Sequence, residues 1–253
     1  MGLNNKFGVG VLIATTRTDA QGNLLAVPAP YRLGILQEVS TDFSFEAKAL
    51  YGDRILPVDR GRGKGKLAFS AKTAQINAAG LAALHFGVTP SVGFKGPVID
   101  EPITVPSPSG PYTVATTPPG SGTFLNDLGI RDTNGNDFKR VASAPATGQY
   151  SVSSGTYTFA AADAGLSLLR SYEYSSSSSG LLMPLTNQLM GYAPSFGVIL
   201  YNDSKGTKLV VKLTNCQSDK LSLPFKNEDF VVADFGFEAM DDGTGSAGYW
   251  SQA

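Results

Sequence analysis

Hydrophobic and polar positions largely alternate over residues 39–51. Val39, Thr41, Phe43, Phe45, Ala47, Ala49 and Tyr51 fall on one side; Ser40, Asp42, Ser44, Glu46 and Lys48 fall on the other. The run predicts one strand well beyond the usual length of about 5–6 residues. A second strand is expected over Lys66–Lys72, where Leu67, Phe69 and Ala71 alternate with Lys66, Ser70 and Lys72. Together they give a long amphipathic hairpin with more polar-faced strand than a self-contained core requires. Such a hairpin suits a large shared barrel or a broad interface.

The connection between these strands, Gly52–Gly65, carries Asp53, Arg54, Pro57, Asp59, Arg60, Arg62 and Lys64, the last three interleaved with glycine. It is expected to be a long loop, and long loops are often functional. After Lys72, Thr73 suits a helix N-cap. Ile76, Ala79, Gly80, Ala83 and Leu84 follow helical spacing, and Gly87 suits the position past a helix end. This is the one helix expected, lying on a face of the sheet.

Residues 1–38 read as an irregular arm with one or two strands, broken at Pro28, Pro30 and Gly34. From Asp100 to Gly122 the chain is rich in Pro, Ser, Thr and Gly. Short strands are then expected over residues 123–131, 138–143, 149–153, 156–160 and 166–174, with Asn134-Gly135 as a hairpin turn and one helical turn at 160–165. The serine run Ser175–Ser179 reads as a flexible linker. This predicts a small β-sandwich over 101–180, inserted into a parent domain made of 1–100 and 181–253. The parent resumes with strands around Leu209–Leu213, Leu221–Phe225 and Val231–Ala239, and ends in a Gly-rich tail carrying Tyr249 and Trp250.

Composition narrows the chemistry. One His and one Cys cannot build a metal site from those residue types, and a Ser–His–Asp arrangement would rest wholly on His85. His85 is expected at the helix end, where a cation is favoured. A net charge of −1 implies affinity for neither nucleic acid nor membrane. Charged residues are 16%, below the roughly 25% usual for soluble domains, which leaves a weakly polar surface free to meet copies of itself. Arg60–Lys66 is not a Walker loop, since Gly65-Lys66 is followed by Leu67; it reads as a solvated or inter-subunit loop. Asp234, Glu238, Asp241 and Asp242 lack the spacing of a calcium loop. Cys216 is expected to be a buried, inert strand residue. Phe7–Ala14 is too short to span a membrane, and Lys6 stands where myristoylation at Gly2 would want Ser or Thr. No catalytic, cofactor or metal residue is expected.

Three stretches carry a resemblance: Arg32–Gly52, then Arg62–Lys66, then Ala71–Asn77. Together with Asn187–Gly191 and Asp229–Trp250, they resemble the tail tube (major tail) proteins of long-tailed bacteriophages. Phe138–Tyr174 is similar to modules that recur in virion proteins. The resemblance implies a mainly β fold: a β-sandwich or split barrel with long hairpins, one flanking α-helix and an inserted Ig-like module. It implies a homohexameric ring, and rings stacked into a hollow tube made in the bacterial cytoplasm and incorporated into the virion tail. The implied partners are further copies of the chain, a tape-measure protein in the lumen, and tail terminator and distal tail proteins. Double-stranded DNA would pass without specific binding, and no membrane is involved. Asp42, Glu46, Asp234 and Glu238 are then expected to face the lumen and repel DNA. Asp53, Arg54, Asp59, Arg60, Arg62 and Lys64 are expected to touch the neighbouring ring. The other reading is a virion surface protein that binds a receptor or glycan through the inserted module.

Overall fold

The structure, a computed structural model, describes residues 8–185 and 187–253. The myristoylation reading at Gly2 and the first residue of the Phe7–Ala14 run lie outside them. Its strands are β1 (Val11–Thr16), β2 (Pro30–Leu33), β3 (Leu36–Tyr51), β4 (Pro57–Thr73), β5 (Ser91–Thr104), β6 (Thr113–Ala115), β7 (Thr123–Asp132), β8 (Lys139–Arg140), β9 (Gln149–Ser153), β10 (Thr156–Phe159), β11 (Ser167–Leu182), β12 (Phe196–Ser204), β13 (Thr207–Ser222), β14 (Ala233–Ala239) and β15 (Gly248–Gln252). The described residues are mainly β, with antiparallel and mixed sheets and one short α-helix, α1 (Ala78–Leu81). It divides into two compact units, one spanning Ser91–Leu182 and the other formed by the described residues on either side.

In the flanking unit one antiparallel sheet runs in the order β2-β1-β12-β13-β14-β4-β3, with β15 also paired to β13. β13 is long enough to serve two neighbours along one edge. Leu209–Leu213 pairs with β15, and Cys216–Ser222 pairs with β14. The alternation that makes each strand also makes the core. Leu12, Phe69, Phe196, Val198, Leu213, Phe235 and Phe237 all turn to one side and are buried. Phe69 stacks on Phe237 with ring centroids 5.3 Å apart. Cys216 is buried among these residues, and burial pushes its thiol up to about 12.

The helix closes this core. Asn77 caps it by accepting the Gly80 N–H at 3.0 Å. Thr73, expected as the cap, instead ends β4 and donates its hydroxyl to the Gln75 carbonyl. α1 continues directly into a π-helical turn, Ala82–Phe86, that buries Leu84 completely. It stops at Gly87, which takes φ 64 and lies so near Ala20 that a Cβ would come within 2.8 Å of its backbone nitrogen.

The Ser91–Leu182 unit packs a three-stranded sheet (β5-β11-β7) against a four-stranded one (β6-β10-β9-β8). Ile103, Ile130 and Leu168 come from the first sheet; Tyr150, Tyr157 and Phe159 come from the second. Between them lies a polar knot. Arg170, 2% exposed, donates Nε and Nη2 to Glu101 and packs over the rings of Tyr157 and Tyr172. Asp127 accepts the hydroxyls of Tyr150 and Tyr157 at 2.7 and 2.9 Å.

Two expected elements change identity. Ser175–Ser179 lies within β11 and is not a linker: Ser175 and Ser176 pair with Lys95 and Phe94 of β5, residues 177–180 bulge opposite Gly93, and pairing resumes at Leu181 and Leu182. Leu223–Phe225 forms no strand; β13 ends at Ser222, and Phe225 is exposed. The expected boundaries at 101 and 180 fall inside β5 and β11. The unit instead begins and ends at the paired residues Ser91 and Leu182.

That adjacency has a testable outcome. Replacing 91–182 by a short Gly/Ser linker is expected to leave the flanking unit soluble and cooperatively folded. Removing only 101–180 takes away the β11 residues that pair with Phe94–Val98, leaves that half of β5 as an open strand, and is expected to aggregate. Circular dichroism melts of both variants decide; an insoluble 91–182 deletion overturns the division.

Candidate functional site

The β3–β4 hairpin dominates the flanking unit. At its base it belongs to the sheet, because β14 pairs with β4 over Ala68–Thr73. Beyond Leu67 the two strands pair only with each other, out to Tyr51 and Pro57. The intervening turn is only Gly52–Leu56. Asp53 and Arg54 sit in that turn. Asp59, Arg60, Arg62 and Lys64, expected in a long loop, lie on strand β4. The glycines of this run suggested a loop, but they lie on the strand, and the last of them has a packing reason. A Cβ on Gly65 would stand 2.8 Å from the Phe45 ring, so that ring lies directly over bare backbone.

A bulge at Gly63–Lys64 changes the faces. Phe45 pairs with Gly65, but Ala47 pairs with Arg62. Arg62 and Arg60 therefore move to the side carrying Phe45, Ala47 and Ala49, and the Arg62 guanidinium sits 5.0 Å from the Phe45 ring centre. The end of the ribbon is apolar and uncovered. Leu50, Tyr51, Leu56 and Val58 are exposed there, and Ile55 is 95% exposed.

The opposite face of the hairpin base is polar and continuous across four strands. The registers place Glu38 beside Lys72 and Asp234, Ser40 beside Ser70 and Gly236, and Asp42 beside Ala68 and Glu238. Asp42, Asp234 and Glu238 thus share one face, and Glu46 continues the same alternation along β3 next to the bulge. The acids do not stand alone. Lys66 pairs with Glu238, Lys72 with Glu38, and Lys220 with Asp234 at 2.5 Å. Ser70 donates to the other oxygen of Asp234 at 2.8 Å. The Glu38 and Glu238 carboxylates hold Lys72 and Lys66 above the usual lysine range. Lys220, followed by Ser70, holds Asp234 below the usual carboxylate range.

The sign of the Asp234 shift gives an acid-limb prediction. Its contribution to stability is present above about pH 4 and is lost as pH falls through the lowered pKa. Asp234→Asn is expected to flatten the fall of melting temperature with acid; an unchanged acid limb excludes the pairing.

An apolar groove of about 540 Å³ lies beside the ribbon base, with Phe43, Phe45 and Leu67 on the hairpin and Ala247 on the C-terminal segment. Tyr249 and Trp250 of β15 extend it and are exposed.

His85 meets Ser218, with Nδ1 2.6 Å from Oγ. Ser218 donates its hydroxyl to the Gly236 carbonyl at 3.0 Å, so it accepts from Nδ1. Burial lowers the pKa of the imidazole, with Asp219 opposing. The serine proton is committed to a backbone carbonyl, an arrangement that holds a helix end on β13 and does not activate a nucleophile. Among the described residues no group of His, Cys, Asp and Glu is placed to hold a metal, and no helix is long and apolar enough to cross a membrane. The registers that join the acids to their lysines are long-range, and no sequence signal marks them.

Compared with known proteins, the chain matches no family model and no curated protein.

Proposed function

We propose that this chain is a structural subunit that assembles with copies of itself into the tail tube of a long-tailed bacteriophage, through rings of six that stack. The outer β3–β4 ribbon carries the reading. An isolated two-stranded ribbon is at best marginal in water, and both its edges are open templates for pairing. This one also ends in exposed Leu50, Tyr51, Ile55, Leu56 and Val58. Among the described residues nothing else pairs with it beyond Leu67. Ribbons from neighbouring copies, paired edge to edge around a ring, close into a barrel without edges.

The polar base face then lines the bore. Its lysines are engaged with carboxylates, so few free cations remain to exchange counterions with passing DNA and hold it. Asp42 and Glu46 leave the wall slightly acidic. A tape-measure protein occupies the bore before ejection, and terminator and distal proteins cap the tube. The ribbon tip, with Asp53 and Arg54, meets the next ring.

Negative-stain electron microscopy with light scattering tests this. Rings or tubes are expected on concentration or on adding tail partners. A strict monomer under all those conditions sinks the proposal.

A further inference from the structure

Both outer strands of the β5-β11-β7 sheet bulge at the same level of the central strand. On β5, Ile99 and Asp100 together stand opposite Ser171; on β7, Leu128 is the extra residue beside Gly129, the partner of Ser171. Each bulge is fixed. Asp100 takes φ 54, a strained conformation for a residue with a side chain, and its N–H donates to Ser171 Oγ at 3.1 Å. Gly129 takes φ 111, and its N–H donates to Asp127, the carboxylate already gripped by two buried tyrosines. Paired bulges tied into the core are built features of a sheet, and bulges concentrate beside functional sites.

They open a cavity of about 230 Å³ on the sheet surface, lined by Ile99, Asp100, Leu128, Arg131, Asp137 and Ser171 among others. Arg131 reaches across β11 to an ion pair with Asp100, which holds its guanidinium in place. Ile99 and Leu128 stand 60% and 51% exposed at the same spot, although both are aliphatic.

The chemistry of the lining selects a ligand. Arg131 supplies donors, Asp100 and Asp137 supply acceptors, and Ser171, which accepts from the Asp100 N–H, has its own proton left to give. Two aliphatic side chains offer contact to C–H groups. An anion is opposed by two carboxylates, and a cation must compete with Arg131. A neutral ring bearing several hydroxyls uses the donors, the acceptors and the apolar contact together. The volume is small beside the roughly 300–1,000 Å³ of drug-sized sites, which limits the ligand to about one ring. We infer that this cavity binds a single neutral pyranose residue of a saccharide. The site lies wholly within the Ser91–Leu182 unit and does not depend on assembly.

Saturation-transfer NMR on the full chain tests it, with methyl pyranosides of glucose, galactose, mannose and rhamnose as neutral probes and glucosamine and glucose 6-phosphate as charged ones. At least one neutral glycoside is expected to give a saturable signal stronger than either charged sugar. Arg131→Ala and, separately, Leu128→Asp are each expected to weaken it about tenfold or more. Melting temperatures check that the variants fold; if Arg131→Ala does not, Leu128→Asp and Ile99→Asp at exposed positions decide. Absence of any saturable neutral signal, a signal unchanged in the folded variants, or stronger binding of a charged sugar overturns the inference.

Discussion

Replacing Phe45–Gly65 by Asn-Gly, so that Ser44 and Lys66 close a two-residue hairpin turn, is expected to abolish assembly while leaving the subunit folded. The existing register already pairs Ser44 with Lys66, so the shortened hairpin keeps every strand pair that touches the core. Phe43 stays on Phe69, 6.2 Å between ring centres, and Lys66 keeps Glu238. What goes is surface: Phe45 with Arg62 over it, the two strands beyond, and the apolar tip. A chain of this size shifts its melting temperature by about 2–4 °C per kcal/mol, and removal of unpacked ribbon is expected to stay within about one such step. The loss of tubes or rings in electron micrographs should be complete. Tubes from the shortened chain would remove the ribbon from the assembly; a large fall in melting temperature would place it in the fold.

The second large effect is expected inside the Ser91–Leu182 unit. Asp127, whose side chain is only 3% exposed, accepts from Tyr150, Tyr157 and the Gly129 N–H. Asp127→Ala removes the shared acceptor and leaves two hydroxyls buried without one. Each costs about 1–3 kcal/mol, against a total stability of about 5–15 kcal/mol for a domain. For a unit of this length the melting transition should fall by about 10 °C or more. Amide exchange should accelerate across β7, β9 and β10 and stay unchanged in β12–β14. Asp127→Asn keeps an acceptor and should fall between. A shift of no more than a degree or two in Asp127→Ala would mean that water replaces the carboxylate freely.

The same residues set an alkaline limit. Burial first, and the Asp127 hydrogen bond second, push both phenols above their ordinary range. The stabilisation is therefore whole below about pH 10 and declines as pH rises beyond it. Asp127→Asn should soften that decline.

The β3 strand was legible because apolar and polar residues alternate without a break from Phe43 to Ala49. The outer half of β4 was not, because glycine at 61, 63 and 65 is a turn residue by propensity; here Gly61 and Gly65 are held in the strand by pairing, Gly65 also by the ring of Phe45, and Gly63 sits in the bulge. Ser175–Ser179 misled for a related reason: polar, small side chains say nothing about a backbone whose partner lies some eighty residues earlier in the chain. The single-helix expectation rested on Ile76, Ala79, Gly80, Ala83 and Leu84; the structure has one short helix there, capped at Asn77 and running on into a π-turn, with Ile76 exposed ahead of it. Of the expected lumen-facing acids, the shared face of Asp42, Asp234 and Glu238 follows from register. The lysines that engage two of them come from other strands and could be placed only by the fold. The paired bulges around Ser171 were invisible, since a bulge is a mismatch between strands and not a property of either one.

The strand order has a consequence for the timing of synthesis. β1 with β2 and β3 with β4 sit at opposite ends of the large sheet, and only β12, β13 and β14 join them. Those three strands lie in the last quarter of the chain. A ribosome releasing the protein from its N-terminus therefore produces two separate hairpins, then a complete Ser91–Leu182 unit built from contacts within itself, and only last the strands that unite the hairpins. The long ribbon waits, half made into a sheet, for most of translation. Slow codons or a chaperone acting before β12 emerges would act on that waiting state, and premature pairing of ribbons between nascent chains is the error this order invites.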